Sequence, residues 1–251
     1  MKKVLITAGA GIERIDDVRF LTDYEKVNDG GFFTPCITNI SSGKLGCEIA
    51  EEFCKFNYQV YYLCSKDAKR PFDTSFCDSY NISNESTGFS SLQVIRADSC
   101  ADTLEVMMKL VPEMNIVIHS MAVCDFGFVR RDTPLKLKSN SKEDFLKFLT
   151  ENMIVNPKIL PIIKKWNPKV KLVSFKFESG LEHEELMKRA IASMDGASSD
   201  IVVANDLMEM KKYSEHIAHL VVKLTGHDPL RVTAKGKHDI AMKLRTLLEL
   251  F

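Results

Sequence analysis

Short apolar runs alternate with amphipathic segments along most of the chain, and this alternation is what most constrains the fold. Asn115–Val123 (NIVIHSMAV) is a nearly continuous apolar run, which is typical of a parallel strand buried on both faces. The segment that begins at Ser41 instead repeats its apolar residues at helical spacing. Strands that alternate with helices predict an α/β fold, here a three-layer, Rossmann-like and mostly parallel sheet.

The remaining elements follow from the same patterns. Further strands are predicted at Val4–Thr7, Gln59–Cys64, Leu92–Ile95, Val170–Lys176 and Asp200–Ala204. Further helices are predicted to begin at Asp98 as the N-cap, near Ser141, at Asn156 and at residue 181, with a last helix over 238–250. Ile217–Leu224 and Leu230–Thr233 are expected to form a small C-terminal β-hairpin appendage. Because ligands of such folds bind beyond the carboxyl ends of the strands, the loops there are expected to carry the chemistry.

The composition excludes several classes of protein. The chain has 251 residues, with 34 Lys and Arg against 34 Asp and Glu, so no net charge favours nucleic acid or acidic lipid. Its apolar runs are far shorter than the roughly 18 residues of a membrane-spanning helix. Seven cysteines without a Cys-x-x-Cys pair predict neither a disulfide frame nor a zinc site, and free thiols indicate a cytoplasmic protein.

Gly9 and Gly11 follow the first predicted strand, as in a dinucleotide-binding loop. The third glycine position of that motif falls on Arg14, and the second strand ends without an acidic residue for the ribose hydroxyls. Tyr62 and Lys66 have a Tyr-x-x-x-Lys spacing used by some hydride-transfer enzymes, but their place on or beside a strand favours core packing. An NAD(P)-dependent Rossmann oxidoreductase therefore stays an alternative to the main interpretation.

A stronger signal is the run NISSGKLG, residues 39–46. Two hydroxyls, a glycine and a lysine at a helix start predict an anion site, because free backbone N–H groups, the helix dipole and a cation converge there. Capping by Ser41 or Ser42 is the simpler explanation, but it leaves Gly43 and Gly46 unexplained. The residue order differs from that of a P-loop.

Several segments together resemble the phosphopantothenoylcysteine synthetase (phosphopantothenate–cysteine ligase) family of coenzyme A biosynthesis. In family order they are LITAGAGIERIDDVRF, ITNISSGKLG, IHSMAVCDF, VNPKILPIIKKWNPKVKLVSFKFES and DIVVANDL, which cover most of the chain. Met121 stands where the family usually has alanine, and Ser193 and Ala197 match positions at which bacterial members carry lysines. Residues 21–36 look like an insertion into the family pattern.

The resemblance implies one ligase domain over 1–251, with the insert at 21–36, a flap at 127–140 and a dimerisation hairpin at 213–233. It implies that the carboxylate of 4'-phosphopantothenate attacks a nucleoside triphosphate, that pyrophosphate leaves, and that L-cysteine then takes the acyl group as an amide. ATP is slightly favoured over CTP, and Mg²⁺ is expected on the phosphates without a protein metal site. A homodimer is expected, with neither nucleic acid nor membrane as a partner.

The resemblance also assigns the site residues. Asn39 matches the asparagine that stabilises the acyl-nucleotidylate, and Lys136 matches the flap lysine, with Lys138 as a weaker second choice. Arg19 matches a residue that reaches phosphopantothenate across the dimer interface. The positions that match nucleotide contacts are Gly9, Ser41, Gly43, Gly46, Ala122, Asp125, Phe175 and Asn205.

Three other reactive side chains are interpreted as structural. His216 and His219 are three residues apart, but the sequence offers no third metal ligand beside them. Cys124 has no nearby histidine to activate its thiol. The insert keeps a second alternative open, namely a non-catalytic nucleotide-binding module whose substrate site the insert blocks.

Overall fold

The structure is a computed structural model that describes residues 1–14, 36–38, 41–75, 91–129 and 141–250. Its strands are β1 Lys3–Ala8, β2 Ile12–Arg14, β3 Cys36–Thr38, β4 Gln59–Cys64, β5 Leu92–Arg96, β6 Ile116–His119, β7 Phe126–Phe128, β8 Met153–Val155, β9 Lys171–Glu178, β10 Ile201–Asp206, β11 Ile217–Val222 and β12 Leu230–Lys235. Its helices are α1 Lys44–Lys55, α2 Cys100–Leu110, α3 Lys142–Asn152, α4 Leu160–Trp166, α5 His183–Ala197, α6 Leu207–Tyr213 and α7 Lys237–Glu249.

Eight strands form the central sheet in the order β12-β11-β10-β9-β6-β1-β4-β5. The six strands from β10 to β5 are parallel, which confirms the predicted mostly parallel α/β sheet. The C-terminal hairpin is not a separate appendage, because β11 pairs antiparallel with β10 and β12 pairs with β11. Every residue of β11 is buried, so this strand packs as an interior strand of the main sheet.

Helices cover both faces of the sheet and make the three layers. Alternate residues of β1 serve the two faces: Val4 and Ile6 belong to the core beneath α1 and α7, and Leu5 belongs to the core beneath α2 and α4. α5 covers the same face as α2, over β10 and β11. Each of these fully buried aliphatic side chains contributes about 1.5–3 kcal/mol relative to an exposed one.

The centre of the sheet contains a topological switch point. The chain leaves β1 toward α1 on one face, whereas it leaves the neighbouring β6 toward α4 on the other face. Two adjacent parallel strands whose connections part in this way leave a crevice at their carboxyl ends, where ligands bind in open α/β sheets.

Several local predictions differ from the structure. Ser99, not Asp98, caps α2: its Oγ accepts from the N–H of Asp102 at 3.1 Å, and the carboxylate of Asp102 accepts from the N–H of Ser99 at 3.0 Å. Asp98 instead accepts from the N–H of Lys66 at 2.7 Å. α4 begins at Leu160 rather than Asn156, because the chain before it pairs as β8 with β7. The β2–β3 ribbon, the β7–β8 ribbon and α6 have no counterpart in the prediction.

Candidate functional site

The loops that follow β1 and β6 are joined to each other at the switch point. The N–H of Gly11 donates to the carbonyl of Ala122 at 2.9 Å, and the N–H of Ala122 donates to the carbonyl of Gly9 at 2.9 Å. Ala10 and Ala122 thereby form a parallel β-bridge beyond the ends of the strands. The structure therefore brings together Gly9 and Ala122, two of the residues predicted from the sequence.

The helix start at residues 41–46 has no side-chain cap. α1 begins at Lys44, and its N-cap is Gly43 in the left-handed region at φ 69°, with no side-chain hydrogen bond. Capping by Ser41 or Ser42 is therefore wrong. An added Cβ on Gly43 would lie 2.9 Å from Cβ of Ala68, so packing and backbone conformation both require glycine here. The uncapped first turn keeps N–H groups and the positive end of the dipole for an anion.

Close packing also accounts for two further predicted glycines. An added Cβ on Gly46 would lie 2.6 Å from Cβ of Ala8 and 3.0 Å from Oγ of Ser120, so α1 sits directly on the end of the sheet. An added Cβ on Gly9, which has φ +88°, would overlap Oγ of Ser65. These glycines are explained by contacts within the protein, and their role in binding a nucleotide stays a prediction.

A cavity of about 400 Å³ opens on the opposite side of the same sheet edge. It lies between the end of β6, the segment that leads into α4 and the last turns of α5. The predicted residue Asp125 lines this cavity, together with Ser193 and Ala197, the two positions at which the sequence departs from the lysines of bacterial relatives. The cavity size falls within the range of small-molecule sites.

Asp125 stands at the exposed side of this cavity. Its side chain is 64% exposed and forms an ion pair with Nζ of Lys158 at 2.5 Å. An exposed ion pair of this kind contributes little to stability, so separating the two side chains to bind a ligand costs little free energy. The carbonyl of Asp125 accepts from the N–H of Asn156 at 2.9 Å, which ties the two sides of the cavity together.

Glu13 is a buried carboxylate that sequence reasoning gave no role. Its Oε1 accepts from the N–H of Cys100 at 2.8 Å and from Nδ2 of Asn156 at 3.1 Å. Nδ2 of Asn156 also donates to the carbonyl of Cys124 at 3.0 Å. A buried carboxylate is costly without partners, so this network holds the loop after β6 against the start of α2.

His119 is a second residue that sequence reasoning missed. It ends β6, only 7% of it is exposed, and its ring lines the cavity. Its Nδ1 lies 2.8 Å from Oγ1 of Thr7. Burial lowers the pKa of His119 to about 4, so the ring is neutral at neutral pH.

Phe175 and Asn205 lie near the carboxyl ends of β9 and β10, but neither lines the cavity. Phe175 is partly buried against the core beneath α1 and α7. Nδ2 of Asn205 lies 3.4 Å from Nε2 of His216 and 3.5 Å from Sδ of Met210. Among the predicted residues that the structure describes, Asp125 alone lines the cavity. Asn39, Lys136, Lys138 and Arg19 lie outside the described residues.

The residues interpreted as structural have structural partners. His219 is buried, with Nε2 2.9 Å from Oε2 of Glu209 and Nδ1 3.1 Å from Oγ1 of Thr233. Sγ of Cys124 lies 3.3 Å from the carbonyl of Gly11. In the part of the chain that the structure describes, no three His, Cys, Asp or Glu side chains cluster as metal ligands.

Tyr62 does not have the setting of a hydride-transfer tyrosine. Its side chain is fully buried, its hydroxyl donates to the carbonyl of Lys69 at 2.8 Å, and burial raises its pKa. Lys66 is exposed beyond the end of the strand. This geometry favours core packing over the oxidoreductase alternative.

The sequence profile of the family described as "DNA/pantothenate metabolism flavoprotein C-terminal domain" matches residues 35–249. The chain belongs to this family. A family relative, the coenzyme A biosynthesis bifunctional protein CoaBC of Thermococcus kodakarensis, is 32% identical over 206 residues, which are 82% of this chain and 41% of that protein. Another relative, a cysteine/cysteine sulfinic acid decarboxylase from an unknown prokaryotic organism, is 25% identical over 98% of this chain and 59% of its own length. The chain thus spans about half the length of these curated relatives.

Solved structures agree with the family membership. The DNA/pantothenate metabolism flavoprotein from Streptococcus pneumoniae is 27% identical with a TM-score of 0.69, and the similarity covers 99% of this chain and 98% of that one. The H337A mutant of Cab2, solved in complex with phosphopantothenate-cysteine, is 18% identical with a TM-score of 0.68 over 99% of this chain and 86% of its own, and shares the fold. Among the described residues, no helix is long and apolar enough to cross a membrane.

Proposed function

We propose that the chain is a phosphopantothenate–cysteine ligase domain. It activates the carboxylate of 4'-phosphopantothenate as an acyl-nucleotidylate with release of pyrophosphate, and then joins the acyl group to the amine of L-cysteine. The match of the family profile to residues 35–249 carries this proposal, because a relative of that family is named for coenzyme A biosynthesis. The Cab2 mutant of the same fold was solved with phosphopantothenate-cysteine, the compound that this reaction makes.

The chemistry requires positioning and charge neutralisation more than a strong nucleophile. A carboxylate is a poor acyl donor, so the nucleotide must be held in line with it while charge develops on the phosphate. The uncapped start of α1 supplies backbone N–H groups for a phosphate, and the exposed side chain of Lys44 adds a cation there. In this proposal Asn39 donates to the acyl-nucleotidylate, Lys136 closes over it on the flap, and Arg19 holds the phosphate of phosphopantothenate.

We further propose ATP or CTP as the co-substrate, with ATP slightly favoured, and Mg²⁺ carried on its phosphates. Mg²⁺ usually keeps several waters and is bound through substrate phosphates, so we expect the nucleotide to hold it. Ser193 and Ala197 put no positive charge beside the cavity, unlike the lysines of typical CTP-dependent bacterial enzymes, and this difference favours ATP.

A homodimer is also part of the proposal. α3 has no buried residue, and the adjoining β7–β8 ribbon exposes Phe126, Ile154 and Val155, the last of them 73% exposed. Exposed apolar residues mark an interaction surface, and a second copy of the chain fits the family's dimeric state. A role in the dimer for the hairpin at 213–233 stays a prediction. We place the protein in the cytoplasm, since five of its seven cysteines, Cys47, Cys54, Cys64, Cys100 and Cys124, are free thiols.

The deciding experiment measures pyrophosphate release with 4'-phosphopantothenate, Mg²⁺ and L-cysteine, comparing ATP with CTP and omitting each component in turn. Mass spectrometry follows phosphopantothenoylcysteine, and a parallel assay follows CO₂ release from L-cysteine, the activity for which the second curated relative is named. Pyrophosphate release that requires phosphopantothenate, with amide formation that requires cysteine, supports the ligase. Folded protein that forms no amide with either nucleotide refutes it, and CO₂ release in its place favours a decarboxylase.

Asn39→Ala separates the two half-reactions. The variant is expected to retain nucleotide binding and to lose most amide formation, because the acyl-nucleotidylate is no longer stabilised. Thr246→Ala is the control, since Thr246 is exposed on α7, binds only the carbonyl of Met242 through its hydroxyl and lies outside the proposed site. Equal product formation by both variants removes Asn39 from the mechanism.

A further inference from the structure

The hydrogen bonds around His119 fix where its proton sits. Oγ1 of Thr7 accepts from the N–H of Met121 at 3.2 Å, and the same Oγ1 lies 2.8 Å from Nδ1 of His119. Among the described residues, Nδ1 of His119 is the one acceptor within reach of the Thr7 hydroxyl proton. The hydroxyl therefore donates to Nδ1, and the neutral ring carries its proton on Nε2.

Nε2 of His119 keeps accessible surface, and His119 lines the cavity. In the part of the chain that the structure describes this Nε2 has no hydrogen-bond partner, although more than nine-tenths of the residue is buried. Burial lowers the pKa of His119 to about 4, which agrees with a ring held neutral. A donor that opens on a largely apolar cavity needs an acceptor, and a ligand that enters the cavity can supply one in place of water.

The cavity interior suits a flat, uncharged group. Met121, Val123 and Ile159 supply apolar walls around His119. Nδ2 of Asn156 already donates to Glu13 and to the carbonyl of Cys124, so Asn156 adds no free N–H donor to the cavity. The charged side chains Asp125 and Lys158 pair with each other and remain largely exposed. Phosphates are strongly hydrated and need cations or N–H groups, so they belong at the sheet edge and the neutral base belongs inside.

We propose that Nε2–H of His119 reads the nucleobase of the triphosphate, an inference that rests on the proposed ligase function. The ring nitrogen on the Watson–Crick edge is an acceptor in adenine (N1) and in cytosine (N3). The corresponding nitrogen carries a hydrogen in guanine and in uracil. A fixed N–H donor at this place can therefore bond to adenine or cytosine, whereas in guanine and uracil it would face a second donor. His119 is thus a specificity residue that admits ATP and CTP and excludes GTP and UTP.

Calorimetric titration with the four triphosphates and Mg²⁺ tests this assignment. The unaltered protein is expected to bind ATP or CTP at least about tenfold more tightly than GTP and UTP, the cost of opposing two donors. His119→Ala should bring the four affinities within about threefold of one another, because no donor remains. Thr7→Val removes the group that fixes the tautomer, so GTP and UTP should gain affinity while ATP keeps most of its own. Thr246→Val is the control, because its hydroxyl binds the carbonyl of Met242 on α7 and touches neither His119 nor a residue of the cavity wall.

A second measurement determines which ring nitrogen of His119 carries the proton, and it uses the unaltered protein without nucleotide. Long-range ¹H–¹⁵N NMR of the imidazole is expected to show the Nε2–H tautomer of His119 at neutral pH, and the Nδ1–H tautomer would overturn the inference. Equal binding of all four nucleotides by the unaltered protein, or an unchanged preference in His119→Ala, would overturn it and leave the ligase function standing. Failure of the unaltered protein to bind any nucleotide would overturn both.

Discussion

Gly46 offers a direct test of whether packing or ligand binding requires a glycine at the start of α1. In Gly46→Ala the new Cβ would lie 2.6 Å from Cβ of Ala8 and 3.0 Å from Oγ of Ser120. Carbon atoms pack at about 3.5–4.0 Å, so α1 must move about 1 Å away from the sheet. Ala8 ends the central strand β1 and has no flexible end that yields to the new methyl group.

The magnitude follows from two opposing effects. Overpacking of a well-packed core costs about 1–3 kcal/mol. Alanine also has a higher helix propensity than glycine, which stabilises the folded state by up to about 1 kcal/mol in a helix interior. Gly46 lies in the first turn of α1, where this gain is smaller, so we expect Gly46→Ala to lower the free energy of unfolding by about 1–2 kcal/mol. For a chain of this size that corresponds to a fall in Tm of about 2–4 °C per kcal/mol.

Gly196→Ala is the matched control. Gly196 lies in α5, and an added Cβ there meets nothing within 4 Å. Only the propensity effect acts, so this variant should gain up to about 1 kcal/mol. Urea denaturation followed by circular dichroism and by the fluorescence of Trp166 measures both variants. Equal or greater stability of Gly46→Ala than of the unaltered protein would refute the packing argument, and lost nucleotide binding in such a stable variant would assign the glycine to the ligand.

Three further predictions concern pH, the buried carboxylate and the assembly. Burial lowers the pKa of His119 from 6.5 to about 4, so between these pH values the unfolded chain binds a proton that the folded chain does not. The free energy of unfolding should therefore fall by about 3 kcal/mol as the pH drops from 6.5 to 4. Urea denaturation at several pH values should show a weaker pH dependence in His119→Gln. Glu13→Ala leaves the donors of Cys100 and Asn156 unpaired and should cost about 2–4 kcal/mol of unfolding free energy, whereas Glu13→Gln keeps an acceptor and should cost less. Ile154→Glu should convert the proposed dimer to monomer in light scattering after gel filtration, and a dimer that persists would place the interface elsewhere.

The fold was largely predictable because its signal is local and repeated. A buried parallel strand has a continuous apolar sequence. The predicted strand Val4–Thr7 lies within β1, and the apolar run 115–123 contains β6. The β2–β3 and β7–β8 ribbons were not predictable, since three-residue strands show no usable periodicity and exist only through pairing across the fold. The α2 cap is Ser99 rather than Asp98 for a similar reason. Either residue type can cap a helix, and the position at which the backbone becomes helical determines which of them does so.

Site residues could be predicted from the sequence only where they directly follow a predicted strand. Gly9 and Ala122 both follow central parallel strands. Residues at the carboxyl ends of neighbouring parallel strands come together however far apart they are in the sequence. Thr7 and His119 are 112 residues apart, and nothing in either segment alone indicates that the hydroxyl fixes the imidazole. Buried polar residues of this kind acquire their chemistry from partners, so their role emerges only with the packed structure.

The arrangement of the site also gives a physical reason for building it across the switch point. The α1 side offers an uncapped helix start, which attracts negative charge, and the opposite side offers a cavity with apolar walls and the proposed donor of His119. A nucleotide has the same division between charged phosphates and an uncharged base. The bridge between Ala10 and Ala122 holds the two halves of the site in register, because it joins the loops that lead to them. Under the proposed function, loosening this bridge should therefore weaken catalysis more than binding, since each half can still hold its part of the nucleotide while their alignment is lost.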